Sequence, residues 1–283
     1  METEYAKKMN EEINRYKDVL NIHELPEIFH YWSNKYLLPI IRSYGFPNLQ
    51  AIYVHYMREA CRNNPGKTMR FVSIGAGNCE LEVALASKLR SSGKRNFIFE
   101  CLDINADMLG RGAQMAKEKS VDDLMEFKAV DLNFWEVAYQ YDIIIAAQCL
   151  HHFVELEVIF DKIYNYLSHS GYFITHDMIG RNGHLRWPET LDILNDFWKT
   201  LPDKYKYNHQ LQRLEKEFSD WDCWMEGFEG IRAQDILPLL VQKFHFEFFV
   251  YWGGVIDVFV DRSFGHNFNP NSDTDGFSLD FGR

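Results

Sequence analysis

From Met69 onward, short apolar runs alternate with amphipathic stretches. MRFVSI, NFIFECLD, MEFKAVD, YDIIIAAQ and GYFITHD each read as a buried strand. CELEVALASKLR, NADMLGRGAQMAKEK and ELEVIFDKIYNYLS read as helices, the first with Leu81, Leu85 and Leu89 on one face. Continuous apolar strands separated by amphipathic helices predict βαβ units and a parallel sheet covered on both faces. Ahead of them, EYAKKMNEEINRYKDVL, LPEIFHYWSNKYLLPIIRSYGF and LQAIYVHYMREACR read as helices. RNNPGKT, with its Pro and Gly, marks a boundary. After Met178 the alternation lapses, and PETLDILNDFWKTL, HQLQRLEKEFSDW and RAQDILPLLVQKF read as helices. FEFFVYW and VIDVFVD, joined through Gly253 and Gly254, read as a hairpin closing the sheet edge. The expected segments are a helical cap over 1–65, a sheet core over 66–178, a helical insertion or lid over 179–243, and closing strands with a polar tail over 244–283.

Composition narrows the partners. A net charge of -11 argues against nucleic acid, whose affinity comes largely from Lys and Arg neutralising phosphates. METEYAKKMN carries no apolar run, so no secretory signal is expected, and no stretch is long and apolar enough to span a bilayer. The five cysteines are odd in number and scattered, which fits a reducing cytoplasm better than a disulfide framework. Aromatic residues make up 16% of the chain, enough to fill a core and also line a pocket for a planar or apolar ligand.

The polar residues that end the strands point to a ligand. Gly75 and Gly77 follow the first strand, Asp103 ends the second, Asp131 the third, Gln148 the fourth, and His176 with Asp177 the fifth. Ligands of open α/β sheets sit beyond these carboxyl ends. A dinucleotide fingerprint needs a third glycine, but Glu80 stands there, with Glu82 close behind to repel a diphosphate. No Gly-Lys-Ser/Thr follows either. A nucleoside without phosphates fits this turn.

VSIGAGNCELEVALA, ECLDINADML, AVDLN, YDIIIAAQCLHHF and LSHSGYFITHD resemble, in order, the motifs of class I S-adenosylmethionine (SAM)-dependent methyltransferases. The resemblance covers residues 66 to 178. It implies a Rossmann-like, seven-stranded, mostly parallel sheet with helices on both faces, plus the N-terminal cap and the insertion after strand five. Gly75, Ala76 and Gly77 would pass under the methionine half of SAM. Asp103 would accept the ribose hydroxyls, Ile104 and Met108 would flank the adenine, and Asp131 and Leu132 would approach its amino group. Gln148 would stand near the methionine amine. One departure is Ser73, where the family often has an acid.

On the acceptor side, His152 and His176 rank first as candidate bases, with Asp177 as an orienting group or alternative base. His151, Arg181, His184 and Trp187 follow the fourth and fifth strands, and Tyr31, Trp32 and Tyr36 form an aromatic stripe in the cap. These seven are candidate contacts for a small-molecule acceptor offering a hydroxyl, an amine or a carbon, as in natural-product or glycan tailoring. Two other readings stay open: C-methylation of a prenyl or other apolar substrate, and a SAM-binding protein without catalysis. No metal site is expected. DTDGFSLD, at residues 273–280, lacks the full spacing of a calcium loop. Oligomeric state is not legible.

Overall fold

The computed structural model describes residues 4–17, 24–225 and 227–271, and the DTDGFSLD stretch lies outside them. The chain divides into two compact units. The first comprises Met1–Leu20, Gln50–His184 and Asp222–Phe246; the second comprises Asn21–Leu49, Leu185–Trp221 and Glu247–Arg283.

The first unit is built on a five-stranded sheet in the order β3-β2-β1-β4-β5. Its strands are β1 (Met69–Ile74), β2 (Phe97–Asp103), β3 (Met125–Ala129), β4 (Tyr141–Ala147) and β5 (Leu167–His176). Every pairing is parallel. Strand order reverses between β1 and β4, and that switch point is where ligands of such sheets bind. Six successive residues of β4 are buried, so both of its faces are covered. On one face Val72, Ile74, Ile144 and Ala146 pack with α7 (Leu156–Tyr166) and α9 (Ala233–Lys243) through Leu156, Ile159, Phe160, Ile163, Ile236 and Leu240. Phe71 and Phe99, paired in register, meet edge to face with ring centroids 6.0 Å apart. Also in this unit are α1 (Glu4–Tyr16), most of α4 (Leu49–Asn63), α5 (Glu80–Ser91) and α6 (Ala106–Glu118).

The second unit has an aromatic core of its own. Trp32, Trp198, Tyr205, Phe259, Phe264 and Phe268 are buried there with Ile28, Leu194 and Val258. Its helices are α2 (Glu27–Trp32), α3 (Leu38–Ser43), α8 (Pro188–Thr200) and the short α10 (Asp257–Val260). Between α2 and α3 the residues Ser33–Leu37 form a π-helical turn. Pro39, in the first turn of α3, has no N–H to give an α-helical bond, and the wider turn absorbs that loss.

Three sequence expectations are overturned. The sheet has five strands and not seven. FEFFVYW forms no strand: Phe246 packs on the sheet core, and Phe248 meets Tyr44 and Phe46 edge to face at 4.9 and 5.8 Å. In VIDVFVD, Asp257–Val260 is helical and buries Val258, Phe259 and Val260 in the second core. Apolar runs of this length mark burial, which a helix or a packed loop satisfies as well as a strand does. HQLQRLEKEFSDW is not a helix either. Asn208 accepts hydrogen bonds from the backbone N–H groups of Gln210 and Leu211, turning the chain so that Tyr207–Asn208 pairs antiparallel with Arg213–Leu214. That local side-chain bond competes successfully with the weak helical pattern.

Candidate active site

The carboxyl ends of β1 and β2 lie side by side, joined by one carboxylate. Asp103 Oδ2 accepts the Gly77 N–H at 2.8 Å, and Oδ1 accepts the Asn105 N–H at 2.8 Å. Gly75 and Gly77 have φ of 64° and 54°, and a Cβ on Gly75 would lie 2.5 Å from Cys149 Cβ. Only glycine lets this loop press against the end of β4. Burial raises the Asp103 pKa, against the Asn105 and Gly77 hydrogen bonds that lower it. A carboxylate has about four lone-pair positions. Two are used, which leaves two for a pair of neighbouring hydroxyls.

Beneath the loop, Ser73 Oγ donates to Glu82 Oε1 at 2.7 Å. A carboxyl from the first turn of α5 thus lies beside Ser73, where β1 itself has no acid. Burial pushes the Glu82 carboxyl up to about 7 despite the Ser73 hydrogen bond. Met108 and Leu132 are buried, with Leu132 in the core below the sheet end. Ile104 is half-buried between Asp103 and Asn105. Asp131 Oδ2 accepts the Tyr5 hydroxyl at 2.6 Å, and Asn105 Nδ2 donates to Ile13 O at 3.1 Å. Arg111 donates to the carbonyls of Tyr16 and Lys17 and to Asn78 Oδ1. These bonds lay α1 across the ends of β2 and β3.

A family model for a methyltransferase domain matches residues 65–233, more than half of the chain. The chain belongs to the class I SAM-dependent methyltransferase family. No curated protein sequence matches the methyltransferase. Among solved structures it is similar to a SAM-dependent methyltransferase from Geobacter sulfurreducens in complex with S-adenosylhomocysteine, at 14% identity and a TM-score of 0.34, over 43% of this chain and 46% of that one. It is also similar to the CurJ carbon methyltransferase, at 19% and 0.40, over 47% and 35%. A third is the N-methyltransferase NodS from Bradyrhizobium japonicum WM9 in complex with S-adenosylhomocysteine, at 14% and 0.39, over 59% and 72%. The chain spans less than half the length of the first two.

At the switch point of the methyltransferase, Gln148 adopts φ of 55°, uncommon for a side-chain-bearing residue, and its N–H bonds His176 O at 2.8 Å. Gln148 Nε2 stands 2.8 Å from His176 Nε2. An amide nitrogen only donates, so the His176 lone pair is taken. Asp177 accepts from Cys149 N, Leu150 N, Met178 N and His151 Nδ1, the last at 2.5 Å. Its burial opposes ionisation, but His151 and the two strand-end N–H groups hold its pKa below the ordinary value. This carboxylate organises the loop after β4.

His151, His152 and His184 converge on Glu229. His184 Nε2 lies 2.7 Å from Glu229 Oε1, His151 Nε2 lies 3.4 Å from the same atom, and His152 Nε2 lies 3.6 Å from Oε2. His152 Nδ1 stands 2.9 Å from Glu12 Oε1 of α1. Burial penalises charge on His151, but the bonds to Asp177 and Glu229 raise its pKa to about 9. Burial likewise disfavours the Glu229 anion, and the His151 and His184 hydrogen bonds outweigh it, leaving the pKa far below the usual range. Glycines bring these side chains together. Gly183 donates its N–H to Gly230 O at 2.9 Å, and a Cβ on Gly230 would lie 3.1 Å from Gly183 Cα. Two backbone turns pack face to face there, one carrying His184 and the other Glu229.

Of the acceptor candidates, His151, His152 and His184 gather at this cluster, and Arg181 lies in the loop between β5 and the Gly183 turn. Tyr31, Trp32, Tyr36 and Trp187 belong to the second unit. Trp32 is buried in its core, Tyr36 packs against that core, Tyr31 is exposed and accepts from Lys35 Nζ at 3.1 Å, and Trp187 precedes α8 in an exposed position. Arg186, in the same stretch of sequence, pairs with Asp220 and Asp257. Sequence reasoning missed Glu12, Tyr5 and Glu229. The pair of glycines around one acid in GFEG was the available signal for Glu229.

Proposed function

We propose that this protein transfers the methyl group of SAM to a polar small molecule. The observation that carries the reading is the Asp103 carboxylate, which ties β2 to the glycine loop and keeps two acceptor positions for the ribose hydroxyls. The residues fit the rest of that cofactor as well. Ile104, Met108 and Leu132 offer apolar contact for an adenine, Asp131 an acceptor for its amino group, and Gln148 a polar group near the methionine end. Glu80 and Glu82 in the first turn of α5 disfavour a diphosphate there.

When bound, SAM supplies an activated methyl group, so the protein's contribution is to hold the acceptor in line and manage its proton. His152, partly exposed between Glu12 and Glu229, is the residue suited to take that proton. His176 positions Gln148, and Asp177 positions His151. The acceptor side is lined with imidazoles and carboxylates, which favours a polar acceptor over a prenyl chain. Arg181, at the mouth of this loop, is a further contact for it. The N-terminal helix α1 serves as a cover that limits water at the transfer point.

Calorimetry on the full chain with S-adenosylhomocysteine and NADH tests the cofactor: the first binds and the second does not, and the opposite preference ends the reading. Labelled-methyl transfer to a panel of hydroxylated and amine metabolites then tests catalysis. His152→Gln lowers transfer with S-adenosylhomocysteine affinity retained; unchanged transfer from pH 6 to 9 removes His152 as a base.

A further inference from the structure

We propose that His151, His152, His184 and Glu229 form a binding site for one divalent first-row transition-metal ion. Ligand atoms of His151, His152 and Glu229 all lie within 4.8 Å of one another. Donors about 2.0–2.1 Å from a tetrahedral ion stand roughly 3.3 Å apart. The His151 and His152 Nε2 atoms are 3.4 and 3.6 Å from the Glu229 oxygens, near that spacing, and the set, within 4.8 Å, contracts to hold an ion. His184, at 2.7 Å, needs only a small withdrawal to join it.

The surroundings of the rings match a metal site in a second respect. A ligating histidine donates its other nitrogen to a carboxylate, which fixes the tautomer and raises its basicity. His151 Nδ1 bonds Asp177 in this way, and both rings turn Nε2 toward Glu229. The cluster is also incomplete as it stands. Glu12 is 6% exposed, yet its Oε2 has no hydrogen-bond partner, and His152 Nδ1 is buried without an aligned one. Leaving such buried atoms without hydrogen bonds is unfavourable. Three buried or half-buried carboxylates, Glu12, Asp177 and Glu229, share this space with the imidazoles, and a divalent cation offsets their charge directly. Tyr16 is the other titratable group near it, with its ring edge toward His152.

The donor set selects the ion. Imidazole nitrogens with one carboxylate suit zinc, iron, cobalt or nickel, whereas magnesium and calcium favour oxygen donors. Cys149 is not a ligand, because its thiol donates to Ile74 O. The scaffold is rigid on one side through the Gly183–Gly230 contact. Ion binding is measured without methyl transfer. An ion held by His152 Nε2 occupies the lone pair that proton removal needs, so the ion-loaded state and the state in which His152 acts as base exclude one another.

The full chain, stripped with a chelator and desalted, is titrated with Co²⁺ and followed by visible absorption. One equivalent gives d–d bands of a nitrogen–oxygen site; Zn²⁺ displaces it, and Mg²⁺ does not. Asp177→Asn weakens Co²⁺ binding roughly 10–100-fold. His184→Ala with Glu229→Ala abolishes the stoichiometric bands, while S-adenosylhomocysteine binding reports that the variant is folded and that the cofactor site stands. Absence of the bands in the wild-type chain overturns the proposal whatever the variants do. Thiolate charge-transfer bands, or equal binding by a folded double variant, overturn it too. Loss of S-adenosylhomocysteine binding by the wild type with intact cobalt bands sinks the methyltransferase reading and leaves the metal site standing.

Discussion

Two glutamates with little access to water, Glu82 buried and Glu229 half-buried, have acidities that move in opposite directions. Glu82, beneath the glycine loop, has a serine hydroxyl as its side-chain partner, and burial pushes its pKa up to about 7. Glu229 is half-buried and also loses solvation, but three imidazoles surround it and hold its pKa far below the ordinary value. Burial alone therefore does not set the charge of a carboxyl; its partners do. The glycine-loop end centres on Asp103, which bonds the backbone of Gly77 and Asn105. The Glu229 end is built from charged side chains drawn from distant segments.

The largest expected effect lies outside both ends. Trp32→Ala removes a ring from the core of the second unit and costs about 3–5 kcal/mol in thermal or denaturant unfolding. Acceptor KM in the folded fraction stays unchanged; a raised KM with full stability would return Trp32 to the acceptor site.

Glu82→Gln sharpens the contrast between the glutamates. The folded carboxyl holds its proton more tightly than the unfolded one, whose pKa is about 4.5. Its stabilising share is complete below pH 4.5 and is lost as pH rises through about 7, above which the fold carries a buried anion. Relative to the wild type, the glutamine variant gains up to about 3 kcal/mol on going from pH 4.5 to pH 8. Parallel stability profiles for the two proteins would show that Glu82 ionises without penalty.

The smallest effect separates the ends directly. Asp103→Ala weakens S-adenosylhomocysteine binding by about 1.5–3 kcal/mol, since it deletes a charged acceptor. Glu229→Ala leaves that affinity within about 0.5 kcal/mol, as a substitution remote from the ligand does. Equal losses in both variants would merge the two ends into one coupled site.

Legibility followed the same division. βαβ alternation, the glycine turn and the strand-end acids were readable because each is a local pattern, period or turn chemistry that survives without knowing the fold. The two C-terminal strands were misread because FEFFVYW and VIDVFVD declare only that they are apolar; what they pack against decides their conformation. The packing of Trp32 and Tyr36 in the second unit was not readable either, since an aromatic face does not say what covers it.

By itself the sequence determined the parallel sheet and the family, because those depend on residues close together in the chain. Tertiary structure alone decided that Glu82 meets Ser73, that α1 reaches Asp131 and His152, and that two glycine turns bring His184 to Glu229. Contacts between residues dozens of positions apart depend on how the elements pack, and no local pattern carries that information.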